Sequence, residues 1–228
     1  MAEDQRTARI FGVLFLITFL TSIPALGLYQ PVLDDPAGYI AGGGKDTQIY
    51  LGVLLELLLI IANVGTAVVL YPIVRRQNEI LSIGYVTARV VECIFIAAGV
   101  LFVLGIVSLR SDSPDASATA VSLAALKDWT FLLGPGFIVG WGNGLILGYL
   151  MYSSRLVPRG MTWLGLIGGP VLILSGILVL FDVINQGGTV QGLATILEFL
   201  WELSLGIYCT VKGFRSDAPI LQPAAAAS

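Results

Sequence analysis

Four side chains in this sequence have both the type and the spacing to do chemistry inside an otherwise apolar chain. Arg89 and Glu92 stand three residues apart in "ARVVECIF", and Glu198 and Glu202 four apart in "ILEFLWELSLGIY". On a helix, both spacings put the pair on one face. A guanidinium and a carboxylate so placed can make a charge-assisted pair. A buried glutamate can hold a proton or a cation, which is why ionisable groups inside a membrane mark ion and solute paths by default.

Depth brings these groups together. At 1.5 Å of rise per residue, Arg89 counted from Glu79 and Glu202 counted from Lys212 each lie about 15 Å in. Asn63 and Asn143, counted from Arg75 and Arg155, lie at about 18 Å, and Glu92 and Glu198 at about 20 Å. All six are near the middle of a hydrocarbon core about 30 Å thick, whereas Glu56, at about 29 Å, is near the far edge. The equal depth of Arg89 and Glu202 predicts an ion pair between them. Within the cluster one positive charge faces three negative ones, so protons, a bound cation or a small cationic solute must balance the excess. The competing reading, from a different class, is a structural or accessory membrane protein whose buried ion pairs only fix helix packing, since such pairs also occur as staples of little net stability.

The residues that are missing exclude much else. The chain has no histidine, which removes Ser-His nucleophile pairs, histidine-ligated haem, the HExxH zinc site and the Glu-x-x-His di-iron site within this chain. Asp182, like Asp128, lies only at the edge of an apolar run, so an intramembrane aspartyl dyad fails too. A glutamate could serve as acid or base, but no recognisable nucleophile accompanies it. No enzyme activity, cofactor or metal is expected. Cys93 and Cys209 fall in apolar segments, where a thiol behaves as a small hydrophobe. A net charge of −3 with pI near 4.8 gives no basic surface for nucleic acid. Trp201 is expected to face lipid or pack in the core rather than stack on a ligand, Asp128, Trp129 and Asp182 to anchor helix ends, and the glycines of "GWGNG" to permit close helix packing.

The elements that must position these groups are legible from composition. Of 228 residues 56% are hydrophobic and 12% charged, about half the charge of an ordinary soluble domain. Apolar runs of roughly 20 residues recur along the length. They predict an all-α, polytopic transmembrane bundle in the lipid bilayer, one membrane domain over 1–215, with six spans at about 8–29, 49–74, 80–109, 128–152, 160–182 and 190–211. The first run is longer than the apolar region of a cleaved signal peptide and is read as a retained helix. Arg6, Arg9, Arg75, Arg76, Arg155, Arg159, Lys212 and Arg215 fall at the two ends and in the alternate connections. The other connections hold Lys45, Arg110 and Lys127 beside several aspartates. The positive-inside rule then puts both termini in the cytosol.

Local signals add detail. "DDPAGYIAGGG" has an acid before a proline and ends in glycines, which predicts a short interfacial helix. Ser113 and Pro114 suit the start of another, and "GPG" at 134–136 predicts a kink in the fourth span. The proline- and alanine-rich tail, 216–228, is expected to be disordered. "VVLYPIVRR" and "LGYLMYSSR" share a tyrosine followed by arginine at a span end, but any interface anchor has that form.

The segments "TARIFGVLFLIT", "ARVVE", "GNGLILGYLMYSSRLVPRGMTWLGLIGGP" and "EFLWELSLGIYCTVKGF", in this order and spacing, make the chain resemble the membrane proteins grouped as domain of unknown function 4386, nearly end to end. The resemblance implies a bacterial, multi-pass protein of the plasma (inner) membrane and transfers no catalytic residue.

Overall fold

The structure, a computed structural model, describes residues 2–112 and 116–222. Six long helices carry the predicted spans: α1 (Ala2–Asp34), α3 (Asp46–Val74), α4 (Glu79–Asp112), α5 (Ser117–Ser154), α6 (Arg159–Leu180) and α7 (Thr189–Val211). The short α2 (Pro36–Ile40) lies between the first two, and there is no strand among the described residues. Several helices outrun the apolar stretches that announce them. Apolarity marks what lipid can surround, while the intrahelical ladder continues wherever flanking side chains allow it. In α5 the difference is largest, because the helix expected before the fourth span is continuous with it. The expected start at Ser113 and Pro114 lies outside the described residues.

The predicted interfacial helix forms as α2. Asp35 caps it, its carboxylate accepting from the Gly38 N–H at 2.9 Å, and Gly42 and Gly44 end it at φ of 111° and 73°, values glycine adopts without a Cβ penalty. Arg110 and the Tyr39 hydroxyl both donate to Asp46 Oδ1, at 2.6 and 2.7 Å, tying this loop to α3 and α4. The "GPG" irregularity takes the form of π-helix over Leu132–Ile138 and Gly140–Leu147. Pro135 has no N–H to give an α ladder, and the glycines around it leave the wider coil room.

Each long helix packs on its neighbours in sequence, and α7 returns to α1, so the six spans close a ring. Glycine makes that closure tight: a Cβ on Gly12 would collide with the Thr210 backbone. The Gln5 amide donates to the Phe214 carbonyl at 2.7 Å, so both ends of the described chain lie on one face of the ring, here the terminal face. Beyond α7, the Arg215 N–H donates to Leu156 O at 2.9 Å, Ala218 is buried and Pro219–Leu221 forms one 3-10 turn. The tail expected to lack structure from 216 is thus placed as far as Gln222, and its remainder lies outside the described residues.

Two cores fill the ring unequally. The terminal half is plugged by a cluster including Phe11, Phe15, Leu70, Met151, Trp201 and Leu205. The opposite half holds a second cluster, around Tyr29, Ile49, Val103 and Ala120, drawn from the α1–α5 portion of the chain and containing no residue of α6 or α7. Outward faces are apolar: Leu20, Ile61, Leu101, Trp141, Leu174 and Leu193 are all exposed. This surface is suited to lipid, and the protein is a multi-pass membrane protein in contact with the bilayer.

Candidate functional site

On α3 and α4, positions 63 and 66 meet positions 85, 89 and 92, along i, i+3, i+4 stripes of two packed helices. Three of these side chains close a ring of hydrogen bonds. Arg89 Nη1 donates to Glu92 Oε2 at 2.7 Å, Arg89 Nη2 donates to the Asn63 carbonyl oxygen, and Asn63 Nδ2 donates to Glu92 Oε1 at 3.0 Å. The Phe15 ring lies 5.5 Å from the guanidinium carbon, a cation–π distance. All three members are buried.

The ion pair expected between Arg89 and Glu202 is therefore not the one formed. Glu92, one turn along the same helix, takes the guanidinium, and Glu202 accepts instead from Asn143 Nδ2. Depth sets which groups are level but not their azimuth around the ring. Both acids of α7 nonetheless stay within Coulombic range of Arg89 and Glu92.

The α7 acids reach the interior because α6 presents glycine where α5 and α7 press against it. A Cβ on Gly169 would stand 2.6 Å from Gly140 O, one on Gly168 2.8 Å from Glu198 N, and one on Gly165 2.6 Å from Trp201 Nε1. Gly144 of α5 is equally constrained, 2.8 Å separating its notional Cβ from Glu198 Oε2. Trp201 fits the packing role expected of it, fully buried and donating from its indole nitrogen to Asn143 O at 2.9 Å. That bond fixes Asn143 opposite Glu202.

Glu198 has no such partner. It is 2% exposed, and among the described residues neither carboxylate oxygen meets a hydrogen-bond donor. Asn143 Oδ1 and Arg89 Nε are also unpaired. Buried carboxylates are ordinarily satisfied by several donors, because desolvation without them is costly.

Sequence reasoning missed one member. Lys127, assigned to a connection, is 3% exposed inside α5 and donates to both oxygens of Glu56 at 3.0 and 3.1 Å, with the Tyr29 ring 5.0 Å away. The signal was available: Glu56 sits at the outer edge of its span, and Lys127 is the cation nearest that edge once α5 is extended toward its N-terminus.

These groups line one cavity of about 500 Å³, within the range of small-molecule sites. Asn63, Arg89 and Glu92 form one side of its floor and Glu198 and Glu202 the other. The Lys127–Glu56 pair lies on its wall, among apolar residues such as Leu59, Ile96 and Leu172. Of the six residues predicted to cluster, five line the cavity, and Asn143 stands just behind through Glu202. The terminal core closes the cavity below, and the rim consists of Ile23 and Leu26 of α1, Phe131 of α5, and Gly192, Thr195 and Phe199 of α7.

No curated protein and no solved structure matches this chain. The model of one protein family, described as a domain of unknown function, does match, over residues 10–213. That range holds the second and third carrier segments whole and all but the outermost residues of the first and last, and the chain belongs to the DUF4386 family.

Proposed function

We propose that this protein binds a small organic cation, or the proton that takes its place, between Glu198 and Glu202, in the plasma membrane of a bacterium and with both termini in the cytosol. The observation that carries the reading is Glu198, an acceptor-only group when ionised, buried at the cavity floor with both oxygens lacking a donor.

Charge balance supports it. Arg89 pairs with Glu92 and Lys127 with Glu56, which leaves Glu198 and Glu202 as the excess. Among the described residues no three histidine, cysteine or acidic side chains converge as a metal site would require, so an organic cation suits the cavity better than a metal ion. The roles then divide: the Asn63–Arg89–Glu92 ring, closed by its three mutual hydrogen bonds, acts as the staple between α3 and α4, and the α7 acids act as the counter-ions. In this reading the protein is not an enzyme.

Thermal unfolding of the purified protein across pH and a panel of monovalent, divalent and organic cations tests this. A ligand at a hundred times its Kd adds about 2.7 kcal/mol to native stability. Organic ammonium ions are expected to raise Tm in wild type, and Glu198→Gln to abolish the rise. If no cation raises Tm and Glu198→Gln merely changes baseline stability, the acids of α7 are structural.

A further inference from the structure

We infer that the cation is amphiphilic and reaches the site sideways, from the hydrocarbon of the bilayer, through a slot between the halves of α1 and α7 remote from the terminal face. The inference rests on the cation site proposed above and adds the ligand's second half, an alkyl chain.

The two helices behave differently along their lengths. In the terminal half they touch backbone to backbone at Gly12, Gly206 and Thr210. Further along, Phe19 meets Phe199 edge to face with ring centroids 5.2 Å apart. Beyond that contact, α7 contributes nothing to the second core, and Ile23, Leu26, Gly192, Thr195 and Phe199 are exposed while also lining the cavity. Phe199 lies ten residues inside the start of α7, about 15 Å by helical rise, so the slot begins near the middle of the span. Its inner end therefore lies at the depth of the acyl chains, while its outer end reaches Gly187 and Gln191 at the start of α7.

The chemistry along the slot is graded. Its rim is mostly apolar, with Ser22, Gln191 and Thr195 the polar side chains beside Ile23 and Leu26, and its inner end reaches Glu198 one helical turn past Thr195. A ligand that satisfies both ends has a primary ammonium head, whose N–H groups donate to Glu198 and Glu202, and a single alkyl chain lying between α1 and α7. A purely aqueous cation would leave the apolar slot unmatched, and a neutral lipid would leave Glu198 without a donor. Gly192 marks where the chain would lie, because nothing stands within 4 Å of its notional Cβ.

Stability in lipid nanodiscs, measured with ethylammonium, octylammonium and dodecylammonium and with octyl sulfate as the anionic control, tests the slot. Affinity is expected to rise by about fourfold per methylene buried until the slot is filled, and octyl sulfate is expected to have no effect. Gly192→Leu, whose side chain enters open space, should flatten the series so that octylammonium binds no better than ethylammonium. Glu198→Gln should remove binding of every member. Equal responses to the short and long ammonium ions in wild type would overturn the lateral slot and leave the cation site standing. An equal response to octyl sulfate and octylammonium would overturn the amphiphilic-cation ligand, and no response to any ammonium ion would overturn both readings.

Discussion

Lys127 and Glu56, 71 positions apart in the chain, form a doubly hydrogen-bonded ion pair inside the ring, with the lysine nitrogen 3.0 and 3.1 Å from the two carboxylate oxygens. Removing one member of a buried pair strands the other charge and costs about 3–5 kcal/mol, whereas replacing both by apolar residues of similar volume is often neutral. Lys127→Met and Glu56→Leu should each lower thermal stability markedly, and the double variant should be more stable than either. A double variant with the summed loss would mean that the two residues act independently.

Asn63 serves both partners of the Arg89–Glu92 pair. Asn63→Leu leaves Arg89 Nη2 and Glu92 Oε1 each without a bond, an expected loss of about 1–3 kcal/mol per stranded group. In a double-mutant cycle with Glu92→Gln, the two losses should fall short of additivity, the mark of a shared network. Chemical unfolding of the four proteins in one detergent reads this directly.

The glycines of α6 are expected to divide from those facing outward. Gly169→Ala presses a methyl onto the Gly140 carbonyl and should cost about 1–3 kcal/mol, as overpacking does. Gly27→Ala in α1 meets nothing within 4 Å and should instead stabilise its helix by roughly 0.5–1 kcal/mol. Paired Tm measurements check the contrast in sign.

The α2 loop carries a pH dependence of its own. Burial, reinforced by the hydrogen bond to Asp46, pushes the Tyr39 phenol up to about 12, from about 10 in an unfolded chain. The folded state thus holds this proton more tightly. Its contribution to stability is complete below about pH 10 and disappears as pH rises through 12. Ultraviolet difference titration of wild type against Tyr39→Phe should isolate a phenol that ionises near 12. Tyr39→Phe should also flatten the loss of stability over that window.

Orientation is open to a simple check. Eight of the twelve lysines and arginines lie on or next to the terminal face, so a reporter fused after Gln222 should be active only where it folds in the cytosol. Activity of a periplasm-dependent reporter at that position would reverse the assignment.

Much of this architecture was legible because charge punctuates the apolar runs. Arg75, Arg155 and Lys212 fixed helix ends well enough for depth alone to bring Asn63, Arg89 and Glu92 to one level and Asn143 beside Glu202. Depth carries no azimuth, however, and that is why Glu92 rather than Glu202 took the guanidinium. Lys127 escaped because apolarity fades before the helix does, so a residue inside α5 looked like part of a loop. The glycines of "GWGNG", Gly140, Gly142 and Gly144, were recognised as packing positions, but Gly165, Gly168 and Gly169 were not, because which helices a glycine lets together depends on contacts between segments distant in the chain. The cavity follows from just such a fact, the failure of α7 to join the second core, and no local pattern announces it.

Closure of the ring through α1 and α7 imposes an order on biogenesis. When α4 has left the ribosome, Asn63, Arg89 and Glu92 can already bond to one another within the membrane, and Glu56, the other buried acid of these helices among the described residues, awaits the counter-charge that α5 brings with Lys127. Glu198 and Glu202 arrive only with α7, the least apolar of the six spans. The last helix to be inserted is therefore the one with the weakest preference for lipid and the greatest dependence on a surface already built to receive it. The glycines of α6 and the face of α1 at Gly12 constitute that surface, so the nascent chain completes its site in the same step that completes its fold.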